Sequence, residues 1–116
     1  MKYFKIKFPS RYQVNDVFND NIDLHIILPD NKVFFGTAFT ILNVQDLIRR
    51  ENNCYFWSTN MFLISDLKVA TIKKAVEKAM EDGFFELIFS EIGYLDILYS
   101  ENTNYENLTD DGEVKN

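Results

Sequence analysis

Cysteine is almost absent from this chain, and its scarcity limits both redox and metal chemistry. Cys54 has no second thiol with which to form an internal disulfide, a composition typical of proteins from reducing compartments. The only histidine, His25, lies 29 positions away from Cys54. This pair does not make the cluster of sulfur and nitrogen ligands that zinc requires. We therefore expect no metal ion and no cofactor.

Glycine is also scarce, and the four glycines are scattered along 116 residues. Phosphate-binding loops, dinucleotide-binding turns and nucleophile elbows all need glycines at close fixed spacing, because the backbone must turn sharply beside the ligand. A catalytic pair of His25 and Cys54 has no identifiable third residue to orient it. The sequence therefore predicts that the protein is not an enzyme. We expect His25 to lie on a sheet face and Cys54 to be a small buried residue at the start of a strand.

Long apolar runs are missing as well. No segment approaches the roughly 18 apolar residues of a membrane-spanning helix. The N-terminus alternates lysine with apolar residues instead of forming the apolar core of a signal peptide. Together with the cysteine usage, this composition leads us to expect a soluble cytoplasmic protein without membrane contacts.

Negative charge is concentrated near the C-terminus. Residues 94–116 contain six acidic residues and one lysine, whereas residues 1–93 contain 12 acidic and 11 basic residues. We therefore divide the chain into one domain at residues 1–99 and an acidic tail at residues 100–116. Because the net charge is −6 and the basic residues are dispersed, the sequence disfavours nucleic-acid binding and favours a partner with a basic surface.

Alternating apolar residues predict a β-hairpin in the first third of the chain. Residues 22–28 alternate, residues 29–31 (Pro-Asp-Asn) form a turn signal, and residues 32–40 return as a strand rich in β-branched and aromatic residues. Residues 3–8 alternate in the same way and predict a further strand. Gly36, inside the returning strand, indicates a bulge or a close contact.

Two helices are indicated by their caps and their apolar periodicity. Asn43 is expected to cap a short helix with Asp46 in its first turn. Residues 67–82 carry apolar residues at three- and four-residue spacing, which predicts a longer helix capped by Ser65 or Asp66.

The remaining segments complete the predicted fold. Residues 55–57 and 61–64 predict a further strand or a hairpin, residues 84–92 are apolar and should pack on the core, and residues 94–99 predict a last strand. Strands and helices without regular alternation are typical of an α+β fold. We expect an antiparallel sheet of about four to five strands with one long and one short helix packed on one face.

Surface aromatic and acidic residues are the candidate contacts with a partner. Tyr55 and Trp57 lie on one side of an extended segment, and Phe56 lies on the other. The sequence allows two interpretations of Tyr55 and Trp57: packing in the core, or exposure as anchors of an interface. The acidic tail has two interpretations as well: a solvated chain end, or a segment that contacts a partner. The candidate partner-binding set is Tyr55, Trp57, Tyr94, Asp96, Tyr99, Glu101, Tyr105, Glu106, Asp110 and Asp111.

Four segments of the chain resemble a family of small bacterial immunity proteins from polymorphic or contact-dependent toxin systems. They are residues 19–28 (NDNIDLHIIL), 33–40 (VFFGTAFT), 55–61 (YFWSTNM) and 83–90 (GFFELIFS), within a stretch from residue 19 to residue 92. No catalytic signature accompanies the pattern. The binding surface varies between members of the family, so the resemblance assigns no contact residue.

The resemblance implies a cytoplasmic protein that binds a cognate toxin stoichiometrically and blocks it, as in contact-dependent inhibition. An acidic cover would complement the basic cleft of a toxin that cleaves nucleic acid and would accelerate association. The alternative is a small-molecule or peptide-binding module with an aromatic cleft around Trp57. The sequence leaves open whether the protein forms a homodimer.

Deletion of Ser100–Asn116 tests the role of the acidic tail. We expect the truncated protein to keep its fold and to bind a basic partner more slowly and more weakly, because long-range attraction scales with charge. Association rates measured by stopped flow at low and high salt check this, with circular dichroism as the control for folding. Unchanged rates with an unchanged salt dependence would show that the tail takes no part in binding.

Overall fold

A five-stranded sheet organises residues 4–98, the part of the chain that this computed structural model describes. In chain order the elements are β1 (Lys5–Lys7), β2 (Asn21–Ile27), β3 (Lys32–Thr40), α1 (Ile41–Arg50), β4 (Met61–Ile64), α2 (Val69–Glu81), α3 (Phe85–Ile88), β5 (Ser90–Tyr94) and α4 (Leu95–Leu98). The predicted α+β class and the predicted strand number are both confirmed.

The predicted hairpin forms the centre of the sheet. β2 and β3 pair antiparallel along their length. Asn31 closes their turn with a left-handed φ of 69°, a conformation that asparagine tolerates better than most residues. Its N–H donates to the Leu28 carbonyl at 2.8 Å, and the Asp30 carboxylate accepts the Lys32 N–H at 3.0 Å. The turn residues therefore satisfy backbone groups that the strands leave unpaired.

β3 pairs with three strands. β2 occupies one of its edges, while β5 and β4 share the other, β5 antiparallel along Lys32–Phe35 and β4 parallel along Thr37–Thr40. The parallel pair is a departure from the wholly antiparallel sheet expected from the sequence. It arises because α1 and residues 51–60, which we name the crossover loop, carry the chain back from Thr40 to the level of Thr37. β4 therefore starts beside the middle of β3 and runs in the same direction.

The last described strand is β5, and it lies earlier in the chain than the strand expected at residues 94–99. The chain leaves the sheet at Leu95, which begins a helical turn. Leu95 packs against Ile27 and Val33 on the sheet. Burial of this apolar contact favours the turn over a longer strand.

The long helix, α2, covers one face of the sheet. Its buried residues Ile72, Val76 and Ala79 join one core cluster with alternate residues of β2 and β3, as the helical periodicity predicts. The helix begins two residues later than expected, at Val69. The cause is Asp66, whose carboxylate accepts the Lys68 N–H at 2.9 Å and so forms a turn before the helix.

The short helix, α1, is longer than expected, because its cap is Thr40 and not Asn43. The Thr40 hydroxyl accepts the Asn43 N–H at 3.3 Å, so the helix begins at Ile41. Asp46 consequently lies in the middle of the helix and not in its first turn. Asn43 is buried instead, and its side chain accepts a hydrogen bond from the Asn21 amide at 2.9 Å.

Residues 84–92 pack on the core only through one side. Phe85 and Phe89 are buried, whereas Phe84, Leu87 and Ile92 are exposed. The single turn of α3 explains this division, because residues four apart share one side of a helix.

Gly36 makes the close contact that its position in β3 predicted. A Cβ atom built on Gly36 would lie 2.3 Å from Cδ1 of Phe89. The Phe89 ring has little room to move, since it contacts Phe62 at a centroid distance of 5.5 Å and Phe85 at 5.0 Å. Glycine is therefore required here for space.

Gly36→Ala is expected to destabilise the fold by about 1–3 kcal/mol, because the added methyl group overpacks the core. Urea unfolding of the variant checks the free energy of unfolding. Gly36→Ala should cost less in a Phe89→Leu background, because the smaller side chain leaves room for the added methyl group.

Gly83→Ala is the control, since a Cβ atom added at Gly83 would have no neighbour within 4 Å and only the φ of +78° opposes alanine. The loss of unfolding free energy caused by Gly83→Ala should not depend on the residue at position 89. Equal costs of Gly36→Ala with Phe89 and with Leu at position 89 would contradict the contact.

Candidate protein-binding surface

The crossover loop carries an exposed pair of stacked aromatic side chains. The rings of Tyr55 and Trp57 have centroids 4.8 Å apart and planes inclined by 14°. Trp57 is 74% exposed and Tyr55 is 51% exposed. Phe56 turns the other way and meets Phe39 edge to face at 5.1 Å. The segment is not the strand expected from the sequence, yet the predicted division between Tyr55 and Trp57 on one side and Phe56 on the other is preserved.

Both ends of the crossover loop are held by backbone hydrogen bonds. At the start, the Asn53 N–H donates to the Ile48 carbonyl at 3.1 Å. At the end, the Asn60 carbonyl accepts the Thr37 N–H at 3.0 Å. The Asn60 amide also donates to the Ser90 hydroxyl at 2.8 Å. These bonds and the stacking limit the freedom of the loop, which reduces the entropy that a bound partner would have to remove.

Further apolar side chains are exposed at the same end of the sheet. Leu63 is the register partner of Phe39, and α1 begins directly after β3, the strand to which Phe39 belongs. We name as the aromatic surface the five exposed residues Ile41, Leu42, Tyr55, Trp57 and Leu63. Their exposed areas sum to roughly 600 Å², distributed over the start of α1, the crossover loop and β4.

The part of the aromatic surface that the crossover loop and β4 contribute is free of charge along the chain. Residues 52–65 contain no acidic or basic side chain, although 26% of the whole chain is charged. Depletion of charge at the centre with aromatic enrichment is the composition of a protein–protein interface core. Burial of this segment would therefore leave no unpaired charge.

A polar cavity of about 520 Å³ lies between α1 and the residues that precede β2. It is lined by Asn19, Asn43, Asp46, Arg49 and Arg50. The Asp46 carboxylate accepts the Asn19 amide at 3.0 Å and lies 3.6 Å from the Arg49 guanidinium. The polar groups of the cavity thus bond to one another. The cavity is therefore not an obvious ligand pocket.

The candidate residues Tyr94 and Asp96 lie at the opposite end of the sheet. Tyr94 is the register partner of Lys32 at the start of β3, whereas Phe56 contacts Phe39 near its end. Seven residues of strand separate these positions, which corresponds to roughly 23 Å. The structure therefore divides the candidate set. Its remaining members lie outside the described residues: Tyr99, Glu101, Tyr105, Glu106, Asp110 and Asp111.

His25 occupies the sheet-face position predicted for it. It lies in β2 as the register partner of both Lys7 and Phe35, and its ring meets the Phe35 ring edge to face at 6.1 Å. Desolvation lowers the pKa of His25 from its ordinary 6.5 to about 4, against a smaller opposing effect of the Asp23 charge. The imidazole is therefore neutral at pH 7.

Cys54 is exposed, and the expectation of a buried cysteine is wrong. The cause is that its segment is a loop after α1 and not the start of a strand. Within residues 4–98, no three His, Cys, Asp or Glu side chains gather closely enough to hold a metal ion. No helix of that range has the length and apolar composition to cross a bilayer.

Sequence reasoning missed Ile41, Leu42 and Leu63 as members of the surface. Apolar residues in a helix and a strand are normally assigned to the core, because burial is the usual fate of such side chains. The one sequence signal that marks this region is the uncharged stretch at residues 52–65.

Comparisons of the chain with protein-family models, with curated proteins and with solved structures yield no match.

The pKa of His25 predicts a loss of stability on mild acidification. Because the folded pKa is lowered, the unfolded chain binds the proton more readily below pH 6.5, so stability is complete above that pH and declines toward pH 4. Partial solvent exposure reduces the effect, and we expect a loss of about 1 kcal/mol between pH 7.5 and 5.5. Urea unfolding at both pH values measures it.

His25→Gln is the matched variant, because glutamine keeps a polar side chain that does not titrate. Its unfolding free energy should change less between the two pH values than that of the parent chain. Identical pH dependence of the two proteins would show that His25 is not desolvated in the fold.

Proposed function

We propose that this chain is an immunity-type inhibitor, a protein that binds one partner protein stoichiometrically and neutralises it through the aromatic surface. The observation that carries the proposal is the exposed Tyr55–Trp57 stack. The partner class, a bacterial toxin, follows the resemblance of residues 19–92 to immunity proteins of toxin systems.

The geometry of the stack supports contact with a protein in preference to a small molecule. Small-molecule sites are concave and bury most of their ligand, whereas Trp57 is 74% exposed and leans on Tyr55. Projecting tryptophan and tyrosine side chains are the commonest anchors of protein interfaces, where they enter a pocket of the partner. The alternative of an aromatic cleft around Trp57 therefore has less support than a protein partner.

The size of the aromatic surface suits a complete interface. A standard complex buries about 800 Å² on each partner, of which somewhat more than half is apolar. The roughly 600 Å² exposed by the aromatic surface supplies that apolar share without help from the other end of the sheet.

Electrostatics favours a basic partner at long range and an apolar contact at short range. The net charge of −6 attracts a basic protein and accelerates encounter. The uncharged residues 52–65 then allow close approach without desolvation of charge. This combination suits inhibition of an enzyme with a basic cleft, because the inhibitor must associate quickly and dissociate slowly.

Co-expression with the product of the neighbouring reading frame tests the proposed function. We expect that product to arrest growth alone and this chain to restore growth. The purified pair should form a one-to-one complex by calorimetry, and the emission of Trp57, the only tryptophan, should shift on binding.

Trp57→Ala should weaken that complex at least tenfold, as removal of an interface anchor does. Leu87→Ala is the matched control, since Leu87 is also an exposed apolar residue but lies on α3, outside the aromatic surface. Failure to protect growth would overturn the toxin-inhibitor role. Protection with equal affinity of Trp57→Ala and the parent chain would place the interface elsewhere.

A further inference from the structure

β4 is an edge strand whose outer backbone groups are directed away from the sheet. Within residues 4–98 it pairs with β3 only. The bond from the Thr37 N–H to the Asn60 carbonyl sets the phase of this parallel ladder. In that phase Phe62 and Ile64 direct their N–H groups toward β3, while Met61 and Leu63 direct theirs outward, because the direction alternates along a strand.

The β4 edge lacks the devices that normally protect an edge strand from pairing. β1, at the opposite edge, carries Lys5 and Lys7, and charged side chains of this kind discourage added strands. β5 carries Glu91 and is irregular, because its register against β3 shifts between Val33 and Phe34. β4, with the sequence MFLI, has no charge, no proline and no register shift.

We propose that the β4 edge pairs with the β4 edge of a second copy of this chain, antiparallel about a two-fold axis at Leu63. This dimer does not rest on the proposed inhibitor function, although Leu63 belongs to both contacts. It joins the two sheets through backbone hydrogen bonds from the outward groups of β4.

Side-chain register favours the second copy as the occupant of this edge. With the axis at Leu63, the two Leu63 residues face each other, Phe62 faces Ile64, and Met61 faces Ser65. In this register no charged residue faces a residue of the same charge, an arrangement that would oppose pairing. Leu63, 57% exposed in the single chain, becomes covered by its counterpart.

Charge distribution favours the same occupant. Residues 1–93, with 12 acidic and 11 basic residues, are nearly neutral, so two copies meet little net repulsion along this part of the chain. Residues 52–65 contain no charged side chain, so the β4 edge and the crossover loop are where two copies can approach with least repulsion. The four-residue strand offers only a few hydrogen bonds, which limits the dimer to modest affinity.

Sedimentation equilibrium of the full chain tests the proposal without any partner. We expect a monomer–dimer equilibrium as the protein concentration rises from about 1 to 500 μM. Leu63→Pro should abolish the dimer, because proline removes an outward N–H that β3 does not use, and it should remain folded for the same reason.

Leu63→Ala is the matched control, since it removes the side chain but keeps the N–H, and it should retain part of the dimer. Leu63→Lys is the second variant, should the proline prevent folding, and it should also yield a monomer by facing its own charge across the axis. A wild-type monomer at every concentration would overturn the proposal. A dimer that persists in both the proline and the lysine variant would overturn it equally.

Amide hydrogen exchange provides an independent readout of the same edge. The amides of Phe62 and Ile64 should exchange slowly at every concentration, because they bond to β3. The amides of Met61 and Leu63 should exchange quickly in dilute protein and slowly in concentrated protein. Fast exchange of Leu63 at all concentrations would contradict strand pairing even if a dimer formed.

Discussion

The hydrogen bonds of β3 are the constraint on which the described fold depends. Nearly all of its nine residues are buried, and buried backbone groups must be paired. One edge is satisfied by β2, and the other requires two strands, because neither β4 nor β5 is long enough to cover it. Since these two run in opposite directions, they begin near each other, and Asn60 bridges them through its bonds to Thr37 and Ser90.

This arrangement of strands also creates the candidate binding surface. A parallel neighbour for β3 requires a crossover connection, and the crossover loop that completes it carries Tyr55 and Trp57. The same pairing leaves β4 with an uncharged outer edge beside that loop. The proposed inhibitor contact and the proposed dimer contact are thus adjacent for a topological reason, and they share Leu63.

Sequence reasoning succeeded where the signal was local. The β2–β3 hairpin, the long helix α2, the close contact at Gly36 and the sheet-face position of His25 all follow from alternation, periodicity and turn residues within a few positions. It was wrong where the outcome depended on the point at which a strand ends, which is set by pairing with distant segments. Thr40 displaced Asn43 as a cap because β3 ends directly before the helix, and Cys54 is exposed because its segment serves the crossover.

The sequence by itself determined the secondary structure of the central hairpin, the amphipathic character of α2, the acidic net charge and the opposite facing of Phe56 relative to Tyr55 and Trp57. Each of these depends on residue spacing or side-chain chemistry, which a linear chain displays directly. Only the tertiary structure decided that β4 runs parallel to β3 and that Ile41, Leu42 and Leu63 join the aromatic pair at one end of the sheet. Parallel pairing and surface clustering depend on which distant segments satisfy the edges of β3, and no local pattern encodes that choice.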